Sequence, residues 1–340
     1  MIRLLALAAM LATAPVTAQP APKPVIIGYL PMFKDYRPTL ASVDMTKLSH
    51  INIAFVNPDA NGRIVKGDRM ACVDSYDGSM LPAQNIADIV ETAHKGSVKV
   101  LISLGGGQIP ACSGAWTDLL SAEKRTVLVD ELVKFADDYD LDGIDIDLEW
   151  DVLTAIDKAG EYVPFTAELG AALHARGKLL TCATASNEGG MVPLGSVPYF
   201  DYVNVMSYDG VGPTWGEPGG EHASLQMAKD DLAVWRARGV PKDRLILGVP
   251  FYGQGFSDYA ADNDYKDILQ KFGPTAAEVD VQGMRCAGCS YVTYNGRPTL
   301  RVKAKLAHDQ AGGIMIWELT ADAAGTDSLL EAVHDSLVNP

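Results

Sequence analysis

The sequence predicts an α/β protein folded as a (β/α)8 TIM barrel with a small α+β insertion after strand 7. Two observations predict it. Eight short runs rich in Val, Ile and Leu recur along the 340 residues, and longer stretches with apolar residues three or four apart lie between them. Continuous apolar runs suit a parallel sheet covered on both faces, and alternation with helices supplies its crossovers.

The expected strands are Val25–Leu30, His50–Val56, Val98–Leu104, Gly143–Leu148, Leu179–Thr184, Tyr202–Met206, Arg244–Pro250 and Gly313–Trp317. Helical periodicity marks Ala83–His94, Ala122–Asp138, Thr154–Arg176 and Ala223–Arg238, with Gly96, Gly177 and Gly239 at their ends. Two connections are long. Asn57–Pro82 follows the second strand, and Gly253–Leu300 follows the seventh. The latter holds a helical pattern over Asp264–Phe272 and two weakly alternating pieces, and Asn295-Gly296 signals a hairpin turn. Residues 19–340 therefore read as a single catalytic domain, with 254–300 a small lobe inserted beside its cleft.

Residues 1–18 read as a signal peptide, with Arg3 ahead of an apolar run from Leu4 to Ala14 and small residues before Gln19. A secreted or periplasmic protein is expected. The formal charge is -15, which disfavours nucleic acid and anionic membrane as partners. Nothing calls for an oligomer, so a monomer is expected. Export permits disulfides. Cys72 and Cys112 fall in loops at one barrel end and are expected to pair, Cys286 and Cys289 to close a small ring, and Cys182 to stay a free buried thiol.

The chemistry is concentrated in Asp142–Trp150, DGIDIDLEW. Asp145, Asp147 and Glu149 alternate with Ile146 and Leu148, so in a strand all three carboxylates share one face. They span about 13 Å at roughly 3.3 Å per residue. Carboxylates that close repel one another and retain a proton near neutral pH. A barrel puts its active site at the C-terminal ends of its strands, so Glu149, the outermost, is best placed to meet substrate. Clustered acids could instead hold magnesium, but oxygen ligands from other strands are not evident, and neither metal nor cofactor is expected. At the end of strand six, Met206 and Tyr208 share a face and Asp209 adds a carboxylate. Trp317 at the end of strand eight can stack on a sugar's apolar face, and Tyr29 and Phe55 from strands one and two can line the same cavity. Ser103 and Asp142 read as supports of the acid ladder.

These motifs resemble glycoside hydrolase family 18, the family of chitinases and endo-β-N-acetylglucosaminidases. Its signature DGxDxDxE stands here at Asp142–Glu149. Four further pieces follow its order: Ser103–Gly106, Met206–Asp209, Gly248–Gly253 and Gly313–Trp317. The resemblance implies hydrolysis of β-1,4-linked N-acetylglucosamine polymers with retention, the substrate's own 2-acetamido group acting as nucleophile. Glu149 would be the acid, Asp147 would orient the acetamide, and Asp145 would share a proton or hydrogen bond with Asp147. Tyr208 would bind the acetamide oxygen, Asp209 the sugar at the cleavage point, and Trp317 would floor the site. An endo-β-N-acetylglucosaminidase acting on N-glycan cores and a non-catalytic chitin-binding lectin are the alternatives, the latter disfavoured because Glu149 is present. Three positions depart from the family pattern, one of them Leu148, which stands where an aromatic residue before the acid is common. Gly107 stands where a stacking Trp is common, leaving Trp116 or Trp215 to substitute, and Gln254 stands where Arg is common.

Overall fold

The computed structural model describes residues 24–73 and 81–340; the expected signal peptide lies outside the described residues. Eight parallel strands close into a barrel. They are β1 (Val25–Pro31), β2 (His50–Val56), β3 (Lys99–Gly106), β4 (Gly143–Leu148), β5 (Leu179–Thr184), β6 (Tyr202–Val205), β7 (Leu245–Pro250) and β8 (Gly313–Trp317). Neighbours in the barrel are neighbours in sequence, and β8 pairs with β1 through Val25↔Gly313 to Gly28↔Ile316.

Alternation sorts the side chains into two cores. The larger lies between the sheet and the helices and takes Ile144, Ile146 and Leu148 from β4. Helix Gln84–Lys95 shows how it is built: Ile86, Ile89, Val90 and Ala93 recur on one face and are buried. The smaller core lies inside the barrel, where Ile27, Tyr29, Ala54, Ile246 and Met315 pack with Phe55, Met206, Tyr208 and Trp317. Asp145 and Asp147 point into that interior, buried with Asn52, Ser103, Thr181 and Asn204.

Three expectations about local structure are corrected. The stretch Thr154–Arg176 is two helices, Trp150–Lys158 and Tyr162–His174. Gly160, at φ +75, takes the left-handed turn that separates them. Strand six stops at Val205, leaving Met206 just beyond it. Asn295-Gly296 makes no hairpin: Gly296 caps helix Arg297–Gln310, and Asn295 Nδ2 donates to the Ala223 carbonyl at 2.8 Å. The lobe after β7 is a four-stranded sheet ordered Asp262–Asp264, Tyr252–Phe256, Tyr291–Thr293, Val281–Gly283, with helix Tyr265–Phe272 beside it.

Cys72 and Cys112 are bonded, as are Cys286 and Cys289, and Cys182 is free and buried. Among the described residues no helix is long and apolar enough to cross a membrane. The Cys72–Cys112 bond closes a loop with a sequence separation of 40. By loop-closure entropy its removal costs about 4 kcal/mol. Replacing both cysteines with alanine should therefore lower the urea midpoint and steepen the slope, because the unfolded chain is no longer tethered; an unaltered midpoint would show that the loops hold each other without it.

Candidate active site

β4 delivers the acid ladder. Asp145 sits deepest, paired in register with Ser103 on one side and Thr181 on the other. It collects four donors. Its Oδ2 accepts Tyr29 Oη at 2.6 Å and Ser103 Oγ at 2.7 Å, and its Oδ1 accepts Thr181 Oγ1 at 2.5 Å and Asn204 Nδ2 at 3.4 Å. Burial raises its pKa while these hydrogen bonds pull it back. With both oxygens taken, no hydrogen bond joins Asp145 to Asp147.

Asp147 is 3% exposed, and its Oδ1 has no partner. Burial, and then the charges of Glu149 and Asp145, raise its pKa well above the ordinary range. Glu149 lies one residue past the strand, at the N-terminus of helix Trp150–Lys158, and its side chain makes no cap bond, so the carboxylate is left for the cleft. Burial, then the charge of Asp209, raises its pKa to about 7. The three acids thus differ in kind. Asp145 is satisfied by donors, whereas Asp147 and Glu149 compete for a proton.

The glycines at the end of β3 let it come close to β4. Gly105 has φ +100, and a Cβ there would stand 2.6 Å from the Asp147 carbonyl. At Gly107 a Cβ would stand 3.1 Å from Glu149 Oε1, so a side chain in that position would crowd the acid. Trp116 does not replace the missing platform. It is buried, and its Nε1 donates to Asn57 Oδ1 at 3.0 Å. Trp215 is 46% exposed and donates from Nε1 to the Asp209 carbonyl at 2.8 Å.

Two adjoining cavities share Asp209 and Trp215. One, of about 550 Å³, is lined by Phe55, Gly107, Tyr252, Gln254 and Trp317, with Phe33 and Lys34 at its edge. The other, of about 750 Å³, is lined by Glu149, Trp150, Asn187, Met206, Tyr208 and Asp231. Trp317 and Phe55 lie nearly parallel, 5.4 Å apart, and Tyr29 tilts against Trp317 at 5.4 Å. Among the described residues the hydrogen bond of the Tyr208 hydroxyl goes to the Met315 sulfur, at 3.8 Å, a weak acceptor that leaves the proton available to a ligand. Burial and the charge of Asp147 push its pKa well above the ordinary phenol value. Burial pushes Asp209 upward too, but the nearby His222 imidazole and hydrogen bonds from Tyr252 and Gln254 outweigh it and hold that carboxyl low.

One expected member lies elsewhere. Asp142 precedes β4 at the opposite barrel end, where its Oδ2 accepts the Val100 amide at 2.8 Å and sits 2.8 Å from His94 Nε2. It closes the bottom of the barrel and does not touch the ladder. Sequence reasoning missed Thr181 and Asn204, His222, Trp150 and the clamp made by Lys34. Lys34 Nζ donates to Asp264 Oδ1 and to Glu318 Oε1, both at 2.8 Å, tying the lobe to the end of β8. Among the described residues no group of three or more His, Cys, Asp or Glu is arranged to hold a metal ion.

The family model for Glycosyl hydrolases family 18 matches residues 25–322. The chain belongs to glycosyl hydrolase family 18. Among solved structures, this family 18 hydrolase is similar to a GH18 chitinase from the chitin utilization locus of Flavobacterium johnsoniae. The two share 34% identity and a TM-score of 0.78, over 93% of this chain and 94% of that one. It is also similar to a chitinase from Bacteroides thetaiotaomicron, at 29% identity and TM-score 0.74, covering 93% and 97% of the two chains. Endochitinase 1 of Metarhizium robertsii is 25% identical over 367 residues, 90% of this chain and 82% of that protein.

The raised Asp147 carboxyl has a consequence for stability. A carboxyl whose folded pKa exceeds its unfolded one costs stability as pH rises from the unfolded towards the folded value, and costs nothing below both. Asp147→Asn should therefore raise Tm at pH 8 by a few degrees, on the order of 2–4 °C, and leave it nearly unchanged at pH 3. Equal shifts at both pH values in thermal unfolding would mean that the gain is not electrostatic.

Proposed function

We propose that this family 18 hydrolase is a chitinase, exported from the cell, that cleaves β-1,4-linked N-acetylglucosamine polymers by a retaining, substrate-assisted route. The observation that carries the reading is the split within the ladder. Asp145 is tied up by four donors, while Glu149, with a pKa near 7, keeps a proton at the mouth of the barrel. The chitinases to which the chain is similar support the choice of substrate.

In the first step Glu149 gives its proton to the glycosidic oxygen as the bond from that oxygen to C1 breaks. The acetamido carbonyl oxygen of the same sugar bonds to C1 and an oxazolinium ion forms. Asp147, whose Oδ1 is buried without a partner, takes the acetamide N–H and balances the positive charge. Tyr208 donates to the acetamide oxygen and fixes its approach, Asp209 accepts from a sugar hydroxyl, and Trp317 lies beneath the ring. Glu149, now ionised, then removes a proton from water as its oxygen bonds to C1, and the acetamide reforms. Trp215, and Trp150 at 46% exposed, offer stacking surfaces on the leaving side of the cleft.

Glu149→Gln should lower kcat/KM on chitohexaose by about 10²- to 10⁴-fold, with calorimetric binding of the oligosaccharide retained. A variant that still releases short oligomers at near wild-type rate would remove Glu149 from the mechanism. The pH dependence follows from the same group. The acid must be protonated, so turnover should fall as pH rises through about 7. Asp209 charge helps raise that value, so Asp209→Asn should move the basic limb of the kcat profile to lower pH; a limb that moves upward, or not at all, contradicts the assignment.

A further inference from the structure

Asp209 is held by groups that the mechanism above leaves unused. Its Oδ1 accepts the Tyr252 hydroxyl at 2.7 Å and Gln254 Nε2 at 3.0 Å. His222 Nδ1 lies 3.5 Å from the same oxygen. The imidazole is 0% exposed and stands edge-on to Tyr252, with ring centroids 5.2 Å apart. Neither of its nitrogens has a hydrogen bond of good geometry. A buried ring with both nitrogens unsatisfied is costly, and the acceptors beside it are the Asp209 carboxylate and the Tyr252 backbone carbonyl.

The backbone is arranged around this contact. The Gly210 amide donates to the His222 carbonyl at 2.8 Å, lacing the residue after Asp209 directly to His222. Asp209 itself holds φ +59, a conformation unusual for a residue with a side chain. Among the described residues no lysine or arginine is ion-paired with Asp209, and His222 is the basic group that reaches it. Tyr252 and Gln254, both on strand Tyr252–Phe256, thus donate to Oδ1 while His222 approaches it from a separate segment, and among the described residues no hydrogen bond to Oδ2 is made.

We propose that His222 is a positioning residue for Asp209: its Nδ1–H is the third donor to Oδ1, closing to hydrogen-bond distance when sugar fills the cleft, and so keeps Oδ2 turned to the substrate. The inference rests on the chitinase reading and adds to it a residue that never touches sugar. Catalytic hydrogen bonds are often long before substrate binds and tighten in the complex.

The titratable and charged groups around the ring are Asp209 and Tyr252, which face it directly, and Lys303 from helix Arg297–Gln310. Lys303 in turn faces Asp280, Asp231 and Glu221. Across the cleft Asp209 faces Glu149. Burial, aided by Lys303 and opposed by Asp209, lowers the His222 pKa, so the ring is neutral at working pH and acts as a donor. Loss of that donor leaves the Asp209 carboxylate less favoured and raises its pKa. Asp209 must be ionised to accept from a sugar hydroxyl, and its own titration, read at the carboxyl carbon by NMR, should move to higher pH.

The test compares wild type with His222→Leu and His222→Asn, following the Asp209 carboxyl carbon by NMR across the pH range beside turnover of a chromogenic chitobioside. The leucine variant should shift the Asp209 titration upward by roughly one pH unit. The asparagine variant, whose amide can stand in for Nδ1–H, should return it towards wild type. An unshifted Asp209 titration in a folded leucine variant overturns the proposal. Nitrogen NMR of the wild-type protein provides a readout that needs no variant: an Nδ1–H tautomer at His222 is expected, and an Nε2–H tautomer overturns it. If wild type does not turn over the chitobioside at all, the chitinase reading fails instead, and the two failures are distinguishable.

Discussion

The four hydrogen bonds that converge on Asp145 are the constraint around which the site is organised. They come from β1, β3, β5 and β6, so this carboxylate is gripped by half of the barrel's strands. A buried acid would ordinarily resolve its desolvation by taking up a proton. Here the donors oppose that, and the pressure to protonate is passed outward to Asp147 and Glu149. A closed sheet is well suited to the arrangement, because its interior can bring polar groups from opposite sides onto one atom.

The same geometry explains the small residues around the ladder. Gly105 yields space to the Asp147 backbone and Gly107 to the Glu149 carboxylate. Stacking surface displaced from that position is available on the other wall, where Trp215 and Trp150 stand exposed. On the floor, Met315 offers the Tyr208 hydroxyl only a weak sulfur acceptor, which leaves its proton for a stronger one.

Much of this was legible in the sequence, and the reasons for the rest are specific. The period-two alternation of β4 identified the three acids because one face of that strand packs on helices and the other fills the barrel. The same rule separates Asp142 from the ladder, since three positions divide it from Asp145 and odd spacing reverses the face; its proximity in the motif concealed this. Helix periodicity ran through Gly160 because apolar residues continue on both sides of it, and only the left-handed φ shows the break. Asn295-Gly296 has hairpin composition, but a helix follows it instead of a strand. His222, Thr181, Asn204 and Lys34 carry no local signal. Each matters through a partner distant in sequence, as with the |i−j| of 284 between Lys34 and Glu318.

The Lys34 clamp joins the inserted lobe to the floor of the cleft. It anchors Asp264 of the inserted lobe to Glu318, the residue immediately after the aromatic floor at Trp317. Glu318 is itself fixed, its carboxylate accepting the Thr320 amide at 2.6 Å and the Thr320 hydroxyl at 2.9 Å. Wall and floor therefore form one rigid corner instead of two parts free to slide. Such a corner couples the two parts: a displacement of the lobe at Asp264 is carried through Lys34 to the residue that follows Trp317.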